Sequence, residues 1–460
     1  MTERRSAPEL HIVILAAGKG KRLFSDRPKV LHELGGEPLL AHVLRTARAL
    51  HPRAIHVVIG HGAEAVRGAF PDRDLRFVVQ EKQLGTAHAV SQALPRIPAR
   101  APVLVMYGDV PLIRAETLRP LVRAAARGAL GLLTAELEDG AGYGRVLRGA
   151  RGRVVGVVEQ KDATPAQRAL REINTGFMAA PAAQLRRWIS QIGNRNNQGE
   201  YYLTDVVAVA AAAGVSIRDV AAEEAGAVLG VNSRAELAQL EQNHRRWRAR
   251  QLLEQGVTLL DPERLDVRGE VNFGRDCVVD ANVIFEGPAT IGNRVRIGAG
   301  SVICRSVIGH DVVVHPYSLV EDAAVGPGSL IGPFARLRPG TRVSGGAHIG
   351  NFVEIKNSEI GAGAKINHLS YIGDSDVGRR VNIGAGTITC NYDGANKHRT
   401  VIGDHAFIGS NTALVAPVTV GEGATVGAGS VIARDAPAGA LTLTRAEQRT
   451  IPGWKRPQKK

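Results

Sequence analysis

The sequence predicts an α/β chain in two halves, a doubly wound, Rossmann-like sheet followed by a parallel β-helix. Three observations predict it. From residue 10 to about 230, apolar runs of buried-strand length alternate with amphipathic stretches. Ser233-Arg-Ala-Glu236 then spells a capping box ahead of a helical period. Beyond about residue 262 the period becomes six: Ile402, Ile408, Leu414, Val420, Val426 and Ile432 each lie six apart. Domains are expected at 1–232 and 257–460, with a linker helix over 233–256.

In the first half, HIVILAAG (11–18), AIHVVIG (54–60), LRFVVQ (75–80) and PVLVMYGD (102–109) read as buried parallel strands. Stretches 37–50 and 86–94 read as helices between them. In such sheets ligands sit beyond the carboxyl ends of the strands, where LAAGKGKR and YGD both fall. The linker helix should end at Gly256 and act as a strut.

The six-residue unit makes one short strand and one tight turn, its aliphatic residue pointing inward on every face. Ile291, Ile297 and Ile303 carry the same period, as do Ile349 with Ile355 and Ile360 with Ile366. The register slips by one between Ile303 and Ile308, Val320 and Val325, and Ile372 and Val377. CNYDGANKHR (390–399) cannot be a hexad and should leave the solenoid as a loop.

Composition narrows the function. The chain has 460 residues, enough for more than one core, and its 53 glycines serve backbone geometry because aromatics make up only 4%. The net charge of +14 is spread along the chain without a nucleic-acid motif; only the tail from Trp454 to Lys460 is a dense basic run, of a kind usually disordered. A solvated, arginine-rich surface that favours anionic small substrates is the simpler reading. No apolar run reaches the ~20 residues of a membrane span. The short apolar run after Glu3, Arg4 and Arg5 is no secretory signal, and Cys277, Cys304 and Cys390 form no C-x-x-C pair. A cytoplasmic protein is expected.

The loop LAAGKGKRLFSDRPK (15–29) is rich in Gly, Lys and Arg, yet it completes neither the P-loop pattern nor the dinucleotide G-x-G-x-x-G. Its backbone N–H groups can approach a polyphosphate, and Arg22 and Lys29 would add cations. Asp109 and Asn232 are hard oxygen ligands for a divalent cation. Each feature alone has a structural explanation, since an Asp after a strand is commonly a turn residue. Together they point to a nucleotide with Mg²⁺ and no hydrolytic base.

The motifs LAAGKGKRLFSDRPKVLH, QLGTAHA, YGDVPL, GYGR, EINTG, GEYYLTD and GVNSR, in that order, resemble those of sugar-1-phosphate nucleotidyltransferases. Followed by NHLSYIGD and NIGAGTITCNYDGANKHRT within hexapeptide repeats, they resemble a bacterial family of bifunctional enzymes. Its members are both N-acetylglucosamine-1-phosphate uridylyltransferases and glucosamine-1-phosphate N-acetyltransferases, which feed peptidoglycan and lipopolysaccharide precursors. The similarity runs from about residue 11 to 456.

The resemblance implies an N-terminal nucleotidyltransferase domain and a left-handed β-helix acetyltransferase domain. It implies UTP and acetyl-CoA as co-substrates and a homotrimer formed through the β-helix, with no nucleic-acid partner. Leu15, Ala16, Ala17, Gly18 and Lys29 would contact the nucleotide, and Gln80, Gly85 and Thr86 the uracil. Tyr107, Gly108, Asp109, Gly144, Glu159 and Asn174 would hold sugar and ribose, with Mg²⁺ on Asp109 and Asn232. A phosphate nucleophile is already ionised at neutral pH, so Arg22 and Lys29 chiefly offset repulsion.

Acetyl transfer to an ammonium-bearing sugar needs a base. His368 reads as a break in the apolar register of its coil by a group that titrates near neutral pH. The resemblance makes it that base. Arg338 and Lys356 would bind the sugar phosphate, and Tyr371, Asn382, Asn391 and Tyr392 would line the acceptor and acetyl groups. Ala385, Ser410, Ala428 and Arg445 would contact acetyl-CoA. Cys390 adjoins Asn391, but no histidine is paired with it in the sequence, and a small buried residue is the simpler reading. A relative whose β-helix only oligomerises, and a non-catalytic scaffold, are the alternatives. The former lacks a use for His368 and Arg445, the latter for Arg22, Lys29 and Asp109.

Overall fold

A computed structural model describes residues 9–458, so Glu3, Arg4, Arg5 and the last two lysines lie outside it. The described chain divides into two compact units, Met1–His244 and Arg245–Lys460. The division falls inside a helix that runs from Arg234 to Glu254. Its start carries the capping box: Ser233 Oγ accepts from Glu236 N at 3.2 Å, and the Glu236 carboxylate accepts from Ser233 N at 2.8 Å.

The first unit is built on a sheet whose central strands run in the order Ile217–Ala221, Leu130–Glu136, Glu172–Pro181, Pro102–Tyr107, His11–Ala16, Ala54–Ile59 and Leu75–Val79. The four strands expected from the sequence are mutually parallel where they pair. The long strand Glu172–Pro181 runs antiparallel to both neighbours. Each face of the sheet carries its own apolar core. Ile12, Ile14, Val57 and Leu104 pack with the helix Leu39–Arg48 on one side. Val13, Val58, Val103 and Val105 pack with the helix Thr86–Ala93 on the other. The chain leaves His11–Ala16 toward Ala54–Ile59 and later returns to its opposite side as Pro102–Tyr107. The carboxyl ends of His11–Ala16 and Pro102–Tyr107 therefore meet at the topological switch point, the ligand crevice of open α/β sheets.

The second unit is a left-handed parallel β-helix of three sheets with 11, 10 and 9 strands. The hexad aliphatics Ile402, Ile408, Leu414, Val420, Val426 and Ile432 are all buried in one continuous core. At the one-residue slips Arg305, Asp322 and Asp374 turn their corners with φ between 42° and 47°, in the left-handed region that corners of six-residue units such as Arg294 and Tyr317 also adopt. His368 does not break the register, contrary to the expectation above: Ile366 and Ile372 are both buried, and His368 stands exposed at the corner between them.

Candidate functional site

At the switch point of the first unit, Gly108 N donates to Leu15 O at 2.9 Å, joining the two strand ends. Gly20 has φ +57°, and a Cβ there would stand 2.9 Å from Lys29 Cβ, so glycine lets the loop fold onto Lys29. Lys29 Nζ donates to Asn232 Oδ1 at 2.7 Å and pairs with Asp109 Oδ2. Val231 N donates to Asp109 O at 3.0 Å, which ties the GVNSR segment to the YGD turn. The two oxygen ligands named from sequence, 123 residues apart, thus converge on one cationic atom. Their donor chemistry fits Mg²⁺, which needs only one or two protein oxygens when waters and substrate phosphates complete its shell. Ala16 and Ala17 are buried, Gly18 is exposed with open space beside its Cα, and Arg22 is exposed on a short 3₁₀ turn.

QLGTAHA and GEYYLTD clasp each other beside this crevice. Tyr201 N donates to Leu84 O at 2.8 Å, Ala87 N to Tyr201 O at 3.0 Å, and Leu203 N to Thr86 Oγ1 at 3.0 Å. Gly85, at φ +113°, leaves no room for a side chain: a Cβ would lie 2.5 Å from Tyr201 O. Thr86 therefore spends its hydroxyl on the clasp. Gly144 pairs with Asn174 across antiparallel strands, and a Cβ on Gly144 would stand 3.6 Å from Glu159 Cδ. Burial, with Asp205 and Asp162 nearby, pushes the Glu159 carboxyl up, while Thr204 Oγ1 donates to it at 2.8 Å. Asn174 Oδ1 is buried without a partner among the described residues. Burial raises the Tyr107 hydroxyl, whose ring covers Gly176.

In the β-helix the residues fall into columns. Leu369 N, Gly386 N, Asn411 N and Gly429 N donate in turn to Asn351 O, His368 O, Ala385 O and Ser410 O. One corner column therefore stacks Asn351, His368, Ala385, Ser410 and Ala428, coil upon coil. Arg445 joins its end: a Cβ on Gly427 would stand 3.6 Å from Arg445 Nη2. His368 Nδ1 lies 3.0 Å from Asn351 Oδ1. An amide oxygen can only accept, so Nδ1 carries the proton and Nε2 keeps a free lone pair.

The face that starts at this corner comprises Arg336–Leu337, Glu354–Lys356, Tyr371–Gly373 and Ile388–Cys390. Its far edge is cationic. Lys356 lies 4.0 Å from Asp374, and Lys397 beside it, then partial burial, push its ammonium below lysine's usual range. Arg338 adds to that field, although its Nη1 donates to Glu354 at 2.7 Å. Burial would raise the Asp374 carboxyl, but Asn357, Asn391 and the lysines outweigh it and hold it low. Tyr371 Oη lies over Gly373, whose Cβ would stand 2.9 Å from Asn391 Nδ2. Tyr392 is exposed and donates to Gly394 O at 2.6 Å within the 390–399 loop. Asn382 sits on the adjoining face, paired with Lys365 and Phe407. Cys390 is half-buried rather than buried, at the edge of the cationic cluster.

A model of the MobA-like NTP transferase domain matches residues 12–258, and one of the bacterial transferase hexapeptide repeats matches 270–305 and 399–434. The chain is 56% identical to the bifunctional protein GlmU of Ralstonia nicotianae over 98% of this chain and 99% of that one. It is 54% identical to the GlmU of Chromobacterium violaceum and 56% to that of Ralstonia pickettii, each over 98% of this chain and 99% of the relative. The chain belongs to the GlmU family.

As a GlmU-family protein it is a bifunctional transferase that works on small-molecule substrates. Among the described residues no helix is long and apolar enough to cross a membrane. Four neighbours of the expected site residues escaped the sequence reading. Asn351 and Asp374 each lie 17 residues, one coil of the solenoid, before an expected residue, His368 and Asn391, so subtracting 17 from those positions would have found them. Lys397 sits in the loop that was expected, and His88 within QLGTAHA itself.

Proposed function

We propose that residues 1–232 carry uridylyl transfer and residues 257–460 acetyl transfer, joined by the helix over 233–256. The chain is a bifunctional uridylyltransferase and acetyltransferase of UDP-N-acetylglucosamine synthesis. One contrast supports the division of labour. The first unit clusters a lysine with two oxygen ligands at the switch point, while the second aligns a histidine, its tautomer set, opposite a cationic edge.

In the second unit, Arg338, Lys356 and Lys397 hold the phosphate of glucosamine 1-phosphate, and Tyr371 and Asn391 line the sugar. His368 Nε2 takes a proton from the ammonium group. The freed amine attacks the thioester carbonyl of acetyl-CoA and the C–S bond breaks; the nitrogen sheds its second proton as the amide forms, so that one of the two protons goes to the sulfur and the other to solvent. The stack of Ala385, Ser410 and Ala428, with Arg445 at its end, offers a track for acetyl-CoA. General-base help of this type is worth about 10²–10⁴ in rate.

In the first unit, a phosphate oxygen of N-acetylglucosamine 1-phosphate attacks the α-phosphorus of UTP, and pyrophosphate leaves. Leu15 to Gly18 present backbone to the nucleotide, and Arg22 and Lys29 offset the repulsion between two anions. Gln80, Gly85 and Thr86 frame the uracil; Glu159, Asn174, Tyr107 and Gly144 frame the sugars. Asp109 and Asn232 would hold Mg²⁺, which supplies positive charge to the nucleotide's phosphates.

The β-helix is read as the core of a homotrimer. An exposed stack supports this: Tyr317, Phe334 and Phe352 on successive coils have ring centroids 5.3 and 5.4 Å apart and are 60%, 47% and 55% exposed. Leu369, the residue after His368, extends it. Sedimentation of the full chain as a monomer would overturn the trimer. We place the enzyme in the cytoplasm, where its nucleotide and CoA substrates are made.

The test follows thiol and pyrophosphate release separately, with Mg²⁺, acetyl-CoA, glucosamine 1-phosphate and UTP present. His368→Ala is expected to abolish thiol release. When N-acetylglucosamine 1-phosphate is supplied, it should leave pyrophosphate release intact, and Asp109→Ala should do the reverse. Loss of both products in either variant refutes two separate sites.

A further inference from the structure

Thr204 stands in the N-cap position of the helix Asp205–Ala212, where a threonine hydroxyl ordinarily accepts from a helix N–H. Here the side chain makes no capping bond. Thr204 is 5% exposed, and its Oγ1 donates to Glu159 Oε1 at 2.8 Å. An ionised carboxylate can only accept, so the hydroxyl proton lies on the Glu159 side. This is the single hydrogen bond of the Glu159 carboxylate among the described residues. The charged groups that bear on that carboxylate are Asp205, at the start of the same helix, and Asp162. The hydroxyls of Tyr107 and Tyr202 also lie near it, and no cation is among its neighbours. Against burial and two like charges, Thr204 is the one partner that favours the charged form.

Glu159 Oε2 takes no hydrogen bond among the described residues and, unlike Asn174 Oδ1, is not sealed from solvent. We propose that Thr204 is a positioning residue for sugar recognition: its hydroxyl holds Glu159 as a charged acceptor, with Oε2 left for a hydroxyl of N-acetylglucosamine 1-phosphate. This rests on the reading of Glu159 as a sugar contact. Without the Thr204 donor, burial and the two aspartates favour the protonated carboxyl, which is the weaker acceptor. The sugar then meets the competent site only part of the time, and its apparent affinity falls by that fraction. The neighbouring bond from Leu203 to Thr86 starts at a backbone N–H, so the uracil side keeps its clasp when the Thr204 hydroxyl is removed.

The experiment uses the full chain and compares Thr204→Val, which keeps the shape without the hydroxyl, with Thr204→Ser, which keeps the hydroxyl. Pyrophosphate release gives KM for N-acetylglucosamine 1-phosphate and for UTP from about pH 5.5 to 8.5, above the ordinary carboxyl range. Each variant is divided by wild type at the same pH, which cancels the titration of the substrate phosphates. At the acidic end Thr204→Val should raise KM for the sugar phosphate about tenfold, the size of one lost hydrogen bond to a charged group, and the ratio should fall toward unity as pH rises. KM for UTP should stay at its wild-type value, and Thr204→Ser should restore KM for the sugar phosphate. A ratio that does not change with pH, equal rises in both KM values, or no rescue by serine would overturn the proposal. So would a fall in kcat with both KM values unchanged, which is what partial unfolding produces. Glu159→Ala tests the underlying reading separately: if it keeps the wild-type KM for the sugar phosphate, Glu159 does not touch the sugar, whatever Thr204 does.

Discussion

The hydrogen bond between His368 and Asn351 sets a quantitative expectation for the acetyl-transfer site. Asn351 Oδ1, 3.0 Å from His368 Nδ1, holds the ring in the tautomer whose Nε2 is free. Asn351→Leu keeps the size of the side chain and removes the acceptor. A neutral hydrogen bond contributes about 0.5–1.5 kcal/mol net, so releasing the ring should lower kcat about 2- to 13-fold. Removing the base itself, as in His368→Ala, should cost about 10²–10⁴. The two substitutions thus differ by about 8-fold at the least if Asn351 positions and His368 reacts. Asn351→Asp makes a different prediction. A carboxylate beside the ring favours the imidazolium, so the acidic limb of the pH–rate profile should move to higher pH. The assay is thiol release from acetyl-CoA across pH, with pyrophosphate release as the control. Refutation would be an Asn351→Leu defect as deep as that of His368→Ala, or an acidic limb that stays fixed in Asn351→Asp.

Three further expectations concern the first unit. Gly85→Ala forces a Cβ to within 2.5 Å of Tyr201 O at φ +113°, which should cost about 1–3 kcal/mol, lower the unit's Tm by several degrees and raise KM for UTP; an unchanged melting curve would refute the clasp. Asp109→Asn should lower pyrophosphate release about a hundredfold or more while thiol release stays at the wild-type level, measured on one preparation. The Glu159 carboxyl is held above its ordinary range by burial, so the folded state keeps a proton that the unfolded state has lost. That contribution is complete at low pH and disappears as pH rises through the raised pKa. Glu159→Gln, which keeps the acceptor for Thr204, should therefore raise Tm more at pH 8 than at pH 4, and a uniform shift would refute burial as the cause.

The solenoid was legible because its period is a local property. Every hexad aliphatic from Ile402 to Ile432 must face one narrow core, so the pattern cannot drift. The slips were legible as well, but the left-handed corners at Arg305, Asp322 and Asp374 were not, because no glycine announces them. The direction of Glu172–Pro181 was hidden for a different reason, since a buried run has the same alternation in a parallel and an antiparallel neighbourhood. His368 was singled out on a misread register and is nonetheless the exposed polar group at the corner of a well-formed coil. Site neighbours such as Asn351 and Lys397 escaped because the resemblance names residues that touch substrate and passes over those that orient them.

The two clusters also differ in what they require of a proton. In the first unit the nucleophile arrives ionised, and the side chains gathered there are a lysine, a carboxylate and an amide, none of which must change protonation state during turnover. In the second the nucleophile arrives as an ammonium ion, and the one histidine at the corner is held with a lone pair exposed. Each cluster draws on a single compact unit, residues up to 232 in one case and from 338 onward in the other. Thiol release should consequently lose any acidic limb in His368→Ala, whereas the pH profile of pyrophosphate release should be unchanged by that substitution. A shared acidic limb that His368→Ala removes from both activities would show that one proton serves both reactions and would refute the separation of the two chemistries.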